Sequence, residues 1–150
     1  MKFSARTLKL LLNLYPPYRG AGITVEEISP DWKRFTVAMK LRWYNRNIVK
    51  THFGGSLYSM VDPHYMLMLM NILGPDYVVW DKSATIDFLR PGKGLVRAHF
   101  EVHDSDIEMI RTQTADGASY LHEFQVSILN HKSKEIARVK KVLYIKKRAV

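Results

Sequence analysis

The sequence contains no cysteine. That excludes a disulfide framework, a thiolate zinc site and a cysteine nucleophile. Acidic residues are scarce beside basic ones, 14 against 23, and the formal charge is +9. No apolar run reaches the roughly 20 residues of a membrane span. The nearest, Leu57 to Leu73, is interrupted by Asp62, Pro63, His64 and Asn71. The leucine-rich start is broken by Lys9 and Asn13 with no clean small-residue cleavage site after it, so no signal peptide is expected and a cytoplasmic location is. Internal repeats, low-complexity tracts and linkers are also missing.

What is present fits one domain over residues 1–150. The hydrophobic fraction of 47% can fill a real core at this length. Residues 1–15 hold an N-terminal helix, read from Ser4 to Tyr15, which Pro16 and Pro17 end. A turn is expected over residues 18–22. Strands are expected at Ile23–Ile28 and Lys33–Trp43; in the second, Phe35, Val37, Met39, Leu41 and Trp43 alternate with polar residues. Ser56 to Leu73 is too long for a strand and apolar almost all round, so it reads as a buried helix, kinked after Asp62 by Pro63. Tyr77–Leu89 follows as a strand with Trp80, Ala84, Ile86 and Phe88 on one face and Asp81, Ser83, Thr85 and Asp87 on the other. After a strand around Val96–Val102, an extra helix at about 104–116 carries a capping box from Ser105 to Glu108. Two last strands, Tyr120–Leu129 and Ile136–Lys147, flank a turn at Asn130–Lys134. Lys141 breaks the final alternation, which predicts a bulge or an edge there. The order specifies an α+β fold, an antiparallel sheet wrapped around one long helix.

Two features carry chemistry. Gly54 and Gly55 open the buried helix, where free backbone N–H groups and the positive dipole end suit a ligand oxygen, although a tight loop would also use them. Asp62 stands alone in an apolar run. It serves either as a cap for a helix restarting at Pro63 or as a base or nucleophile tuned by burial. The two are eight residues apart, roughly 12 Å along one helix, so they cannot reach the same atom. If both act, two copies of the helix lie antiparallel in a two-fold dimer.

These residues resemble a known pattern. Asn47, Gly54, Gly55 and Asp62 match in register the motif Asn-x-x-Gly-x-x-His-Gly-Gly, with an acid nine residues after the His, of hotdog-fold acyl-CoA thioesterases of the phenylacetate-degradation type. Thr85-Ile-Asp-Phe-Leu-Arg-Pro-Gly is similar to the strand and turn after the central helix in that family. The resemblance covers roughly residues 20–147 and points to a thioesterase-like branch with Thr-His-Phe-Gly-Gly-Ser-Leu-Tyr at the glycine pair. It implies a hotdog fold and hydrolysis of an acyl-CoA thioester, with coenzyme A entering as part of the substrate and no separate cofactor. It also implies a homodimer, whose pairing into a tetramer is left open.

By this resemblance Gly54 polarises the thioester carbonyl, Asn47 positions substrate or water, and Asp62 of the other chain is base or nucleophile. Gly55, His52, Ser59, Asp81 and Ser83 are candidates for supporting or substrate contacts, and Arg90, Lys93 and Arg97 for the coenzyme A phosphates. The sequence departs from the family at Phe53, where His is usual, at Lys50, where Gly is, and at Asp81, where a hydroxyl is. A second acid near Asp62 raises one of the two pKa values. A non-catalytic acyl- or lipid-binding module is the alternative reading. The basic residues near the C-terminus, Lys132 to Arg148, favour anionic partners, yet no nucleic-acid motif accompanies them. No metal site can be assembled around His64, and His99 and His103 read as surface residues.

Overall fold

Serine, paired prolines and glycine punctuate the N-terminal segment. In the computed structural model, which describes residues 3–148, Ser4 caps helix α1 (Ala5–Leu14) by accepting the Thr7 N–H. The ends of the chain, and with them the first two residues of the expected 1–15 segment, lie outside the described residues. Pro16 and Pro17 begin a second short helix, α2 (Pro16–Ala21), because proline suits the first turn. The expected turn at residues 18–22 is therefore mostly helical, and Gly22, at φ +75°, closes it. Asn13 grips both the N–H and the carbonyl of Val25, seating α1 on the edge strand.

The strands are β1 (Ile23–Ile28), β2 (Arg34–Lys40), β3 (Tyr77–Phe88), β4 (Leu95–Glu101), β5 (Ser119–Asn130) and β6 (Glu135–Lys147). They form one six-stranded antiparallel sheet in the order β1-β2-β4-β5-β6-β3. β2 stops at Lys40, short of the expected Trp43. The Asn45 side chain takes the Arg42 N–H and donates to the carbonyls of Lys40 and Ala21, turning the chain away and leaving Trp43 81% exposed.

The central helix comes in two pieces, α3 (Gly54–Ser59) and α4 (His64–Leu73), where one kinked helix was expected. Pro63 has no N–H to offer, so the Ser59 carbonyl accepts instead from Asp62 at 3.4 Å, and the Tyr58 carbonyl accepts from Val61. The ladder tightens, ends and restarts, and Asp62 stands in the gap. α4 fills the concave face of the sheet. Tyr65 stacks on Phe124 of β5 and meets Phe100 of β4 edge-on, while His64 packs on Phe100 and Phe35. This is the hotdog arrangement, an antiparallel sheet curled around a buried helix.

Helix α5 (Asp104–Gln113) lies between β4 and β5. Its cap differs from the expected Ser105–Glu108 box: Asp106 reaches back to the N–H of His103. The same carboxylate meets His122 of β5 at 3.2 Å, which ties α5 to the sheet.

Strands β3 and β6 shape the site directly, and both differ from expectation. β6 has no bulge at Lys141; its inner face runs Val139, Lys141, Leu143, Ile145 without a break, and Lys141 is fully enclosed. The bulge is across the ladder in β3, between Asp81 and Ser83, where Asp81 pairs with Leu143 and Ala84 with Lys141. The extra residue reverses the alternation. Trp80 lies outside, stacked on Tyr144, and Asp81 shares the inner face with Ala84, Ile86 and Phe88. Asp81 and Ser83 therefore do not share a face.

Candidate functional site

The gap between α3 and α4 presents the Asp62 carboxylate. Tyr58, one helical turn earlier, donates its hydroxyl to Oδ1 at 2.8 Å, and Lys141 donates its ammonium to the same oxygen at 3.1 Å. Among the described residues no hydrogen bond reaches Oδ2, and the side chain is 49% exposed. One oxygen is pinned and the other is open.

Lys141 rises from the inner face of β6 and touches three oxygens. Besides Asp62 it lies 3.1 Å from Asp81 Oδ1 and 3.5 Å from the Tyr58 hydroxyl. The Asp81 approach is an ion contact poorly aligned for a hydrogen bond, since that oxygen has no hydrogen-bond partner among the described residues. Removing an ammonium from water costs several kcal/mol, so an enclosed lysine needs opposite charge at close range. Burial lowers the Lys141 pKa, but Asp81 and Asp62 more than reverse this, and the net shift is upward. Burial raises Asp81, and so does the like charge of Asp62, while Lys141 opposes both. Burial and the bond to Asp62 raise the Tyr58 phenol, which therefore stays a donor.

Gly54 serves a different place. It begins α3 and lines a cleft of about 620 Å³ together with Asn47, His52, Phe88, Arg90 and Lys93; Asp62 is not part of this cleft's lining. Asn47 organises the loop before α3: its side-chain Oδ1 accepts the N–H groups of Val49 and Thr51, and its side-chain Nδ2 donates to the Thr51 hydroxyl. His52 donates Nε2–H to the Gly94 carbonyl, and burial lowers its pKa, leaving a neutral ring whose Nδ1 is buried without a partner among the described residues. A side chain at Gly55 would collide with Phe53, its Cβ reaching 2.5 Å from the ring.

Other sequence-selected residues sit apart. The Ser59 hydroxyl donates back to the Gly55 carbonyl, and Ser83 is exposed beyond the bulge. Arg90 donates to the Glu135 carbonyl, with Lys93 nearby in the cleft wall. Arg97 forms a two-bond pair with Glu26. The basic C-terminal strand is not a uniform charged face, since Arg138 pairs with Glu135, Lys140 with Glu123, and Lys141 points inward. Among the described residues no helix is long and apolar enough to cross a membrane.

Sequence reasoning missed Tyr58 and Lys141 as members of the site. Both signals were present. Tyr58 stands four residues before Asp62 on a helical segment, and Lys141 occupies an inward position in an otherwise apolar alternation.

Solved structures of similar shape include PA5026 from Pseudomonas aeruginosa, a protein of unknown function described as a probable thioesterase. It is 15% identical, with 99% of each chain covered and a TM-score of 0.84. The thioesterase HI1161 from Haemophilus influenzae is 14% identical over 98% of this chain and 93% of that one, with a TM-score of 0.70. A mutant of the phenylacetic acid degradation protein PaaI from Thermus thermophilus is 21% identical over 90% of this chain and all (100%) of that one, with a TM-score of 0.61. At these identities the likeness is one of fold. No curated protein matches the sequence. A family model described as "Domain of unknown function (DUF4442)" matches residues 4–145, and the chain belongs to that family.

Proposed function

We propose that this protein hydrolyses an acyl-CoA thioester to the free acid and coenzyme A, at a site shared by two copies of the chain. The observation that carries this reading is the Asp62 carboxylate, fixed through Oδ1 and open at Oδ2, in a gap of the central helix. A carboxylate held this way is suited to take a proton from water.

In this reading the Gly54 N–H, at the start of α3, faces the thioester carbonyl oxygen as negative charge develops there. Asp62 Oδ2 of the other copy accepts a proton from water while the water oxygen bonds to the carbonyl carbon. The carbon–sulfur bond then breaks, and the departing sulfur takes the proton as coenzyme A thiol. Arg90 and Lys93, at the cleft beside Gly54, are suited to the phosphates of coenzyme A, and Asn47 holds the loop that presents Gly54. Arg97 is already neutralised by Glu26 and has no part in the step.

Two features support a second copy. Asp62 is not among the residues that line the cleft beside Gly54. β3 ends the sheet with only β6 beside it, and Phe53, Phe88, Ile48 and Val49 are exposed around the cleft side of the molecule.

The test is thiol release from a panel of aliphatic and aromatic acyl-CoAs. A chain without cysteine adds no background thiol. Turnover of some members that collapses in Asp62→Ala supports the reading. Equal trace activity of both proteins across the panel overturns it and leaves the acyl-binding module.

A further inference from the structure

Asp81 is an acid placed beside Asp62, an arrangement that ordinarily forces one carboxylate to hold a proton. The structure supplies a remedy on the neighbouring strand. We propose that Lys141 is a positioning residue for the site: by touching Asp62 and Asp81 with one enclosed ammonium, it keeps Asp62 ionised and aimed although a second acid stands next to it. This rests on the reading of Asp62 as the base.

The bulge at residues 81–83 turns Asp81 to the inner face at the level of Leu143, one inward position from Lys141. Lys141 is fully enclosed, with its ammonium 5.4 Å from the Tyr58 ring centroid and its oxygen contacts on Tyr58, Asp62 and Asp81. The groups facing the cluster come from five directions: Tyr58 on α3, Asp62 in the gap, His64 on α4, Asp81 on β3 and Tyr18 on α2. Burial pushes His64 down to about 3, so that ring is uncharged at neutral pH. Burial raises the phenols of Tyr18 and Tyr58, which are uncharged too. The charges that remain are one lysine and two acids. Lys141 and Asp81 form a pair of no net charge, so Asp62 has a dipole for a neighbour in place of a second anion. The second acid and the inward lysine, each an exception to its strand's apolar inner face, account for each other.

The experiment uses the full chain as wild type, Lys141→Met, Asp81→Asn and the double variant Lys141→Met/Asp81→Asn. The Asp62 carboxyl carbon is followed by NMR across pH, and the acid limb of kcat/KM is recorded beside it. Lys141→Met is expected to move the Asp62 titration, and the acid limb, upward by at least about one pH unit, and the double variant to return both toward wild type. A folded Lys141→Met protein whose Asp62 carbon titrates as in wild type overturns the proposal, as does a double variant that stays with the single one. If Lys141→Met does not fold, Asp81→Asn alone decides: Asp62, left as sole partner of the ammonium, titrates lower than in wild type, and an unmoved midpoint counts against the role. The NMR shifts without turnover in any protein leave the lysine role intact and remove the hydrolase reading. Turnover without the shifts does the opposite.

Discussion

The ammonium of Lys141 lies 3.1 Å from the carboxylate of Asp62, the lysine wholly enclosed and the acid half open to solvent. The asymmetry decides what the pair contributes. The acid is partly screened, so its share of the attraction is modest. The lysine has no solvent to return to, and without its partners its burial would be a net loss.

Replacing Lys141 with methionine keeps the volume and leaves Asp81, 23% exposed, without a counter-charge. The expected cost is about 1–3 kcal/mol at pH 7, measured as a urea midpoint, and at least half returns in Lys141→Met/Asp81→Asn. The sign with pH follows from Asp81, whose folded pKa burial raises. A carboxyl of that kind favours the folded state at low pH and loses the advantage as pH rises through its folded value. The deficit of Lys141→Met therefore shrinks toward pH 4 and grows toward neutrality. Lys141 itself has a raised pKa, so its contribution is complete below the unfolded lysine value and is lost only as pH climbs through the folded one.

His64 gives the opposite sign. Its ring is fully buried, its Nε2 lies 3.0 Å from the Tyr18 hydroxyl, and burial pushes its pKa down to about 3. A histidine depressed in the folded state contributes stability above its unfolded value near 6.5, lost as pH falls toward 3. Between pH 7 and pH 5 the protein is expected to lose about 2 kcal/mol from this group, and the double variant His64→Phe/Tyr18→Phe to lose much less over the same interval. Thermal midpoints at the two pH values check it; parallel losses in both proteins would remove His64 as the cause.

Asn47 acts on the loop before α3. With the Val49 and Thr51 N–H groups both resting on its side chain, Asn47→Ala is expected to cost about 1–2 kcal/mol. It also lowers kcat/KM by loosening the approach to Gly54, while the Asp62 carboxyl titrates unchanged. A change confined to stability would make Asn47 a loop residue alone.

The architecture was legible where periodicity was undisturbed. Phe35, Val37 and Met39 alternate in the sequence and lie buried in β2, and the glycine pair opens a helix as expected. Errors arose where one residue changes the count or the cap. An added residue at a bulge leaves no mark in composition, so the alternation in β3 was continued through Asp81–Ser83 and put Asp81 on the wrong face with Trp80 outside its true set. A lysine reads as solvent-facing, so Lys141 predicts a break in β6, whereas its inward position is tolerated by two acids that local sequence does not place. Pro63 was expected to bend a helix and instead divides it, since Asp62 and Val61 satisfy the carbonyls that a continued helix would have used. The pairing of Gly54 with Asp62 across two chains follows from their eight-residue spacing, and Asp62 stands apart from the residues that line the Gly54 cleft.

That separation permits the most direct test of the shared site, by mixing two inactive chains. Gly54→Pro deletes the N–H at the first helical position, where proline is accepted. The Phe53 backbone before it, at φ −65° and ψ 129°, already has the conformation proline requires, and the new atoms meet only the outer edge of the Phe88 ring. Asp62→Ala removes the base. Each variant alone is expected to release thiol from acyl-CoA at least about 100-fold more slowly than wild type. Unfolded and refolded together in equal amounts, they form mixed dimers in which one of two sites has both its glycine N–H and its aspartate. Activity then returns to about a quarter of wild type. A mixture as inactive as its parts, although mixed dimers form, would contradict a site built from two chains.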